Sequence, residues 1–231
     1  MPNFSQYRDI EAGEKFVAFA DTAAGGADRC AAQFLSTTKL DVPLVYHAPV
    51  IATIMTNDLY PVLEKIANVT GYKPLVAYER NNGGSFEMDR LASLNRNGFW
   101  EVFRMPVTGI AMHPEDSMRL GWDTNTATRP QMLSGLKDAI DNQLLTIYHG
   151  ETLKELYSFV VVKTTSAWKA QAESGSHDDL VMALAGVWQL YLTNHQFHLT
   201  RPERNKIIGY TGGLPGTGYG KRPVYKSQFD I

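Results

Sequence analysis

Four acidic residues stand where secondary-structure elements are predicted to begin or end. Asp21 and Glu79 each close a short apolar run, and Asp178 and Asp179 precede a long apolar helix. Carboxylates held a few ångströms apart repel strongly in a partly dry site, so such a cluster normally persists only when a cation neutralises it. Oxygen ligands without a Cys/His set favour Mg²⁺ or Mn²⁺ over structural zinc. Two such ions, about 3.5–4 Å apart, can activate a water and stabilise the leaving oxygen of a phosphodiester.

The elements that must position these carboxylates predict an α/β fold. Three apolar runs joined by short polar connections favour an antiparallel meander, and a helix from Thr56 or Asn57 to Gly71 follows them. A right-handed crossover then places the fourth strand parallel to the first. The ends of these two strands become adjacent, so Asp21 and Glu79 are expected to be neighbours. The four predicted strands are Lys15–Asp21, Asp28–Ser36, Val42–Ile51 and Lys73–Glu79.

The second half of the chain adds helices and shorter strands to this sheet, which we expect to contain five or more strands. A final helix carries Asp178 and Asp179 in its first turn, with Ser176 or His177 at the cap position. Two aspartates at a helix start also have a simpler explanation, since the helix macrodipole stabilises anions there. The remaining predicted elements are the helices Ser85–Asn97 and Arg129–Asn142, a fifth strand Trp100–Met105, an irregular segment Pro106–Thr126, a helical turn Glu151–Tyr157, and short strands Leu144–Ile147 and Phe159–Lys163.

Composition limits the class of protein without naming a function. The chain has 231 residues and a single cysteine, Cys30, which we interpret as a small core residue. It contains no apolar run of the roughly 20 residues that cross a bilayer, so no membrane association is expected. From Thr200 onward six basic residues face two acidic ones, which leaves a net charge of +4 there and −6 on the rest. A basic tail fits an anionic partner, or it is simply a solvated tail.

Four segments, in order, resemble the nuclease domain of tailed-phage large terminases over roughly residues 15–195. They are Phe19-Ala-Asp21 with Gly26-Ala-Asp28, Tyr78-Glu-Arg-Asn-Asn-Gly83, Gly121-Trp-Asp-Thr-Asn-Thr-Ala-Thr-Arg-Pro130, and Ser176-His-Asp-Asp-Leu-Val-Met-Ala183. The resemblance implies a ribonuclease H-like fold and a metal-dependent endonuclease that cuts concatemeric viral DNA during genome packaging, in the cytoplasm of an infected bacterium.

The resemblance also implies roles for individual residues. Asp21, Glu79 and Asp179 match the metal-binding acidic positions, with Asp21 bridging two Mg²⁺ or Mn²⁺ ions and the others holding one each. Asp178 is a second candidate beside Asp179, and Asp28 matches an auxiliary acidic position. Some members carry Asp where this chain has Glu79, and the longer arm alters the reach to the second ion. His177 is either a structural polar group or an auxiliary ligand or proton shuttle.

One departure from a complete large terminase is the absence of the Gly-x-x-x-x-Gly-Lys-Ser/Thr phosphate loop of its ATPase motor. We therefore expect an isolated nuclease domain over residues 1–199, followed by a basic, flexible, Gly/Pro-rich tail over residues 200–231. The expected partners are double-stranded DNA and, by resemblance, the terminase ATPase domain, the portal protein and the small terminase subunit. The alternatives are a Holliday-junction resolvase or transposase-like nuclease of the same superfamily, and a non-catalytic module that docks on DNA or on a portal.

Overall fold

A mixed sheet of seven strands forms the centre of the computed structural model, which describes residues 3–23, 28–106, 118–163, 168–172, 177–194, 208–210 and 223–225. The strands run in the order β1-β4-β3-β2-β5-β6, and β9 pairs with β4. They are β1 Phe4–Gln6, β2 Phe16–Asp21, β3 Cys30–Ser36, β4 Asp41–Ala48, β5 Leu75–Tyr78, β6 Glu101–Val102 and β9 Thr146–Ile147.

Five helices are described. They are α1 Ala52–Thr70, α2 Gly84–Leu94, α3 Thr128–Asp141, α4 Gly150–Ser158 and α5 Asp179–Thr193. Three further antiparallel strand pairs are described, and their strands do not pair with those of the main sheet. Their strands are β7 Arg104–Pro106 with β8 Met118–Leu120, β10 Phe159–Lys163 with β11 Trp168–Ala172, and β12 Ile208–Tyr210 with β13 Pro223–Tyr225.

The predicted meander and crossover are confirmed. Strands β2, β3 and β4 pair antiparallel, and β5 returns parallel to β2 after helix α1. The apolar character of these strands fits their position, because five of the six residues of β2 and all seven of β3 are buried. A strand buried on both faces needs cover on both faces, and the helices provide it.

The two faces of β2 contact different helices. Ala18 and Ala20 belong to a hydrophobic cluster that includes Leu59 and Leu63 of α1 and Met88 of α2. On the opposite face, Phe19 lies directly under Gly186 of α5. Every residue from Leu180 to Tyr191 is buried, as expected for a helix that is apolar on all sides. Because side chains alternate along a strand, Asp21 shares the face of Phe19 and points toward the α5 side.

Several predicted boundaries were wrong. Helix α1 begins at Ala52, four residues before Thr56, and the Thr56 hydroxyl instead donates to the Ala52 carbonyl within the helix. The predicted end is confirmed, since Gly71 adopts a left-handed φ of 77° at the C-cap. The predicted fifth strand is divided between β6 and β7, and strand β1 was not predicted.

The chain divides into two compact units, Met1–Tyr191 and Leu192–Ile231. The predicted boundary at residue 199 and most of the predicted tail lie outside the described residues, so this division into nuclease domain and tail stays a prediction. Residues 107–117 of the predicted irregular segment also lie outside them, while β7 and β8 form a hairpin on either side. Within the described residues, no helix is long and apolar enough to cross a bilayer.

Candidate active site

Asp21 and Glu79 lie side by side at one edge of the sheet. Ala20 of β2 pairs with Tyr78 of β5, and the backbone N–H of Glu79 donates to the Ala20 carbonyl at 2.8 Å. The predicted neighbourhood of these two residues is therefore confirmed, and backbone pairing alone is enough to produce it.

Asp21 is a crowded, half-buried carboxyl. Burial raises its pKa well above the ordinary range, and the Glu79, Asp179 and Asp178 carboxylates raise it further. Only a proton or a cation relieves such repulsion. The structure thus brings the four predicted acidic residues close enough together for three of them to raise the pKa of Asp21.

Two contacts define the start of α5. Asp179 is its first residue, and one carboxylate oxygen accepts from the Arg29 N–H at 3.3 Å. Burial raises the pKa of Asp179. The Asp178 carbonyl accepts from the Met182 N–H at 2.8 Å, so Asp178 occupies the N-cap position. The prediction that Asp178 lies in the first turn was wrong, and so was the prediction of a cap at His177; Ser176 lies outside the described residues.

The Asp178 carboxylate has a partner of its own. Arg129, near the start of α3, donates from Nη2 to Asp178 Oδ2 at 2.8 Å. Among the described residues, the buried Arg129 Nε has no hydrogen-bond partner. Asp178 is therefore held by an ion pair beside the cluster, whereas no lysine or arginine side chain pairs with Asp179 or Asp21 in the described part of the chain.

The loop after β5 holds Glu79. Asn81 Nδ2 donates to Glu79 Oε1 at 2.9 Å and to the Thr124 carbonyl at 3.2 Å. The Thr22 hydroxyl donates to the Asn81 carbonyl at 2.9 Å, which ties the ends of β2 and β5 together. A Cβ at Gly84 would lie 1.7 Å from the Glu79 carbonyl oxygen, so this close turn requires glycine. The sharp turn predicted beyond Glu79 is confirmed.

The two auxiliary candidates are more exposed. Asp28 is exposed. The pKa of Asp179 is raised mainly by burial, then by the charge of Asp178, and the charge of Asp28 adds a smaller contribution in the same direction. His177 Nδ1 lies 4.0 Å from Asp179 Oδ2, and 47% of the His177 side chain is exposed. Both residues border the cluster without joining it.

Solved structures with this arrangement of elements are similar over most of their length. The large terminase nuclease of thermophilic phage G20c, with bound magnesium, gives a TM-score of 0.61 at 15% identity, covering 82% of this chain and 88% of that one. The nuclease domain of Thermus phage P74-26 large terminase gives 0.60 at 16% identity, covering 81% and 85%. The human cytomegalovirus terminase nuclease domain gives 0.53 at 11% identity, covering 86% and 88%.

The chain has the fold of a large-terminase nuclease domain. The predicted ribonuclease H-like sheet is thereby confirmed, at identities that show likeness of fold alone. No protein-family model matches the sequence, and no curated protein matches it. The phage G20c nuclease has also been solved with cobalt.

One residue of this terminase-nuclease fold was not predicted to act near the site. Glu155 of α4 accepts through Oε2 from the N–H groups of Leu180 at 2.9 Å and Val181 at 3.2 Å. Burial raises the pKa of Glu155 to about 7. No local pattern indicates this contact, because Glu155 precedes the residues it caps by 25 and 26 positions.

The donor set of the site fits a hard divalent cation. Asp21 and Glu79 supply carboxylate oxygens at one sheet edge and Asp179 at the start of α5, and the pKa of Asp21 is raised first by burial and then by these neighbouring charges. Among the described residues, no three His, Cys, Asp or Glu side chains are arranged to hold a metal ion as they lie.

Proposed function

We propose that this chain is a Mg²⁺- or Mn²⁺-dependent endonuclease that hydrolyses double-stranded DNA. The observation that carries the proposal is the pairing of Asp21 with Glu79 across parallel strands, with Asp179 on the same face of the sheet. The fold of terminase nuclease domains supports the same conclusion.

In this proposal each carboxylate has a distinct role. Asp21 would contribute to the binding of both ions, Glu79 to one of them and Asp179 to the other. Asp179 is preferred to Asp178 as the main ligand because Arg129 already holds the Asp178 carboxylate. The two bound ions would supply an activated water and stabilise the leaving oxygen.

The chain's own residues orient and support these ligands. Asn81 fixes the orientation of Glu79 through its 2.9 Å hydrogen bond, and the Arg29 N–H fixes one oxygen of Asp179. Arg129 sits beside the cluster and holds the Asp178 carboxylate through Nη2 at 2.8 Å. Asp28 and His177 border the site as auxiliary groups.

The same fold supports a proposal about the biological setting. We propose that the substrate is concatemeric viral DNA cut during genome packaging, in the cytoplasm of an infected bacterium. The partners would be a terminase ATPase domain, a portal protein and a small terminase subunit. A basic segment over residues 200–231 would add attraction to DNA phosphates.

The decisive experiment is incubation of supercoiled plasmid with the purified chain in Mg²⁺, Mn²⁺ or EDTA, beside Asp21→Asn and Asp179→Asn. Nicked and then linear DNA is expected with either metal, and none from EDTA or from the two variants. Asp141→Asn is the matched control, because Asp141 is an exposed partner of Lys137 on α3. It should cut like the wild-type chain.

Substrate choice separates the proposal from its rivals. Preference for four-way junctions over linear duplex would indicate a resolvase-like enzyme instead. A wild-type chain that binds duplex DNA but leaves it intact under every metal condition would refute an autonomous nuclease and favour a docking module.

A further inference from the structure

The side chain that caps helix α5 comes from another helix. It is Glu155 of α4, and not the N-cap residue Asp178. An N-cap aspartate ordinarily turns its own carboxylate onto the free N–H groups of the second and third helical residues. For Asp178 these are Leu180 and Val181. Both of those N–H groups donate to Glu155 instead, and the Asp178 carboxylate accepts from Arg129.

We propose that Glu155 is a positioning residue that occupies the cap of α5 and so leaves the Asp178 carboxylate to pair with Arg129 at the edge of the metal-binding cluster. The two acceptors compete, because the same two N–H groups cannot be satisfied fully by both carboxylates. Glu155 therefore decides, together with Arg129, where the Asp178 side chain points. The inference deepens the proposed nuclease function and rests on it for the role of the metal.

The surroundings of Glu155 make this contact a fixed part of the fold. Gln33 Nε2 of β3 donates to the Thr152 hydroxyl at 3.0 Å and to the Leu180 carbonyl at 3.3 Å. These two bonds tie the first turns of α4 and α5 to the same buried side chain. Glu155 lies one turn beyond Thr152 on α4, so its carboxylate is held facing the start of α5.

Loss of Glu155 has a specific predicted consequence. The nearest alternative acceptor for the Leu180 and Val181 N–H groups is Asp178, one helical position before the first turn. A typical N-cap hydrogen bond would raise the population of the Asp178 orientation that faces these groups by roughly five- to tenfold. Arg129 would lose its partner, and the cluster would lose its fourth carboxylate.

The test uses four variants of the full chain. Glu155→Gln keeps an oxygen that can accept both N–H groups, whereas Glu155→Ala removes it. Glu155→Asp keeps the charge on an arm too short to reach, and it replaces Glu155→Ala if that variant fails to fold. Glu151→Ala is the matched control, because Glu151 is an exposed α4 residue bonded to His47.

The first measurement is Mn²⁺ affinity by calorimetry. We expect Glu155→Ala and Glu155→Asp to bind about tenfold more weakly, as is typical when a residue supporting metal ligands is lost. Glu155→Gln and Glu151→Ala should remain within about twofold of the wild type. Equal affinities throughout, or an equal loss in Glu155→Gln, would overturn the inference.

The second measurement needs no metal, so it separates this inference from the nuclease proposal. In EDTA, Asp178→Ala should lower the thermal unfolding midpoint further in the Glu155→Ala background than in the wild type. The reason is that Asp178 caps α5 only when Glu155 is absent. Paired with Glu151→Ala, its effect should be additive. Additivity in both backgrounds would refute the role of Glu155, whereas a wild-type chain that binds no Mn²⁺ would refute the nuclease proposal alone.

Discussion

The close approach of α5 to β2 predicts that Gly186→Ala will be damaging out of proportion to its size. A Cβ at Gly186 would lie 2.3, 2.4 and 2.5 Å from three ring carbons of Phe19. Ordinary contact begins at 3.4 Å, so the helix and the ring must separate by about 1 Å. Phe19 is 1% exposed and has no free space to accept the shift.

The expected magnitude comes from two opposing terms. Because the new contacts are about 1 Å too short, overpacking should cost about 2–3 kcal/mol, the upper part of its usual range, and the better helix propensity of alanine offsets about 1 kcal/mol. A net loss of about 1–2 kcal/mol should lower the melting temperature by about 2–8 °C for a domain of this size. Because Asp179 lies on the same helix, a displacement of about 1 Å should also reduce cleavage by the order of 100-fold.

Thermal unfolding and plasmid nicking would be measured on Gly186→Ala and on Gly150→Ala. The second variant is a matched control, since a Cβ at Gly150 meets nothing within 4 Å at the start of α4. Phe19→Leu should partly rescue Gly186→Ala by removing ring atoms from the contact. Wild-type stability and activity in Gly186→Ala, or a strictly additive double variant, would refute the described packing of α5 on β2.

Two further predictions concern titration and the buried ion pairs far from the site. In EDTA, the free energy of unfolding should fall as pH rises from about 4.5 to about 7. Over this range the folded chain keeps protons on Glu155, whose folded pKa is about 7, and on Asp21, whereas the unfolded chain releases them. The Glu155 contribution is about 1–2 kcal/mol after solvent screening, and saturating Mn²⁺ should flatten this slope in pH-dependent urea unfolding. Arg8→Met should cost about 3–5 kcal/mol by leaving the buried Glu14 and Asp41 carboxylates unpaired, as urea unfolding at pH 7 would show. Arg8 also lowers the Glu14 pKa to about 2 against the opposing effect of burial, so wild-type stability should fall as pH drops from about 4.5 to about 2, and this acid loss should shrink in Arg8→Met. Unchanged midpoints in either experiment would contradict these assignments.

The central part of the site could be predicted because it depends on local patterns and one topological rule. Asp21 ends one apolar strand and Glu79 follows another, and the crossover through α1 makes those strands parallel neighbours. The turn after Glu79 was equally visible, since Asn82 and Gly83 both adopt positive φ. These features are encoded within a few residues of where they act.

The unpredicted features depend on residues far apart in sequence. Glu155 caps a helix across an intervening hairpin, and Arg129 meets Asp178 from a different helix. The early start of α1 was missed because Ile51 precedes it without any side-chain cap, so the usual polar signal is absent. Strand β1 has three residues, too few for alternation to be recognised.

The burial of α5 also determines when during synthesis the site can exist. Strands β2 and β5 place Asp21 and Glu79 together within the first 79 residues of the chain, while Asp179 arrives 100 residues later. Chains emerge from the ribosome N-terminus first, and contacts of long sequence separation form late. A nascent or truncated chain without α5 therefore carries two carboxylates and no complete site, so the capacity to cut DNA would be acquired only when the last core helix inserts.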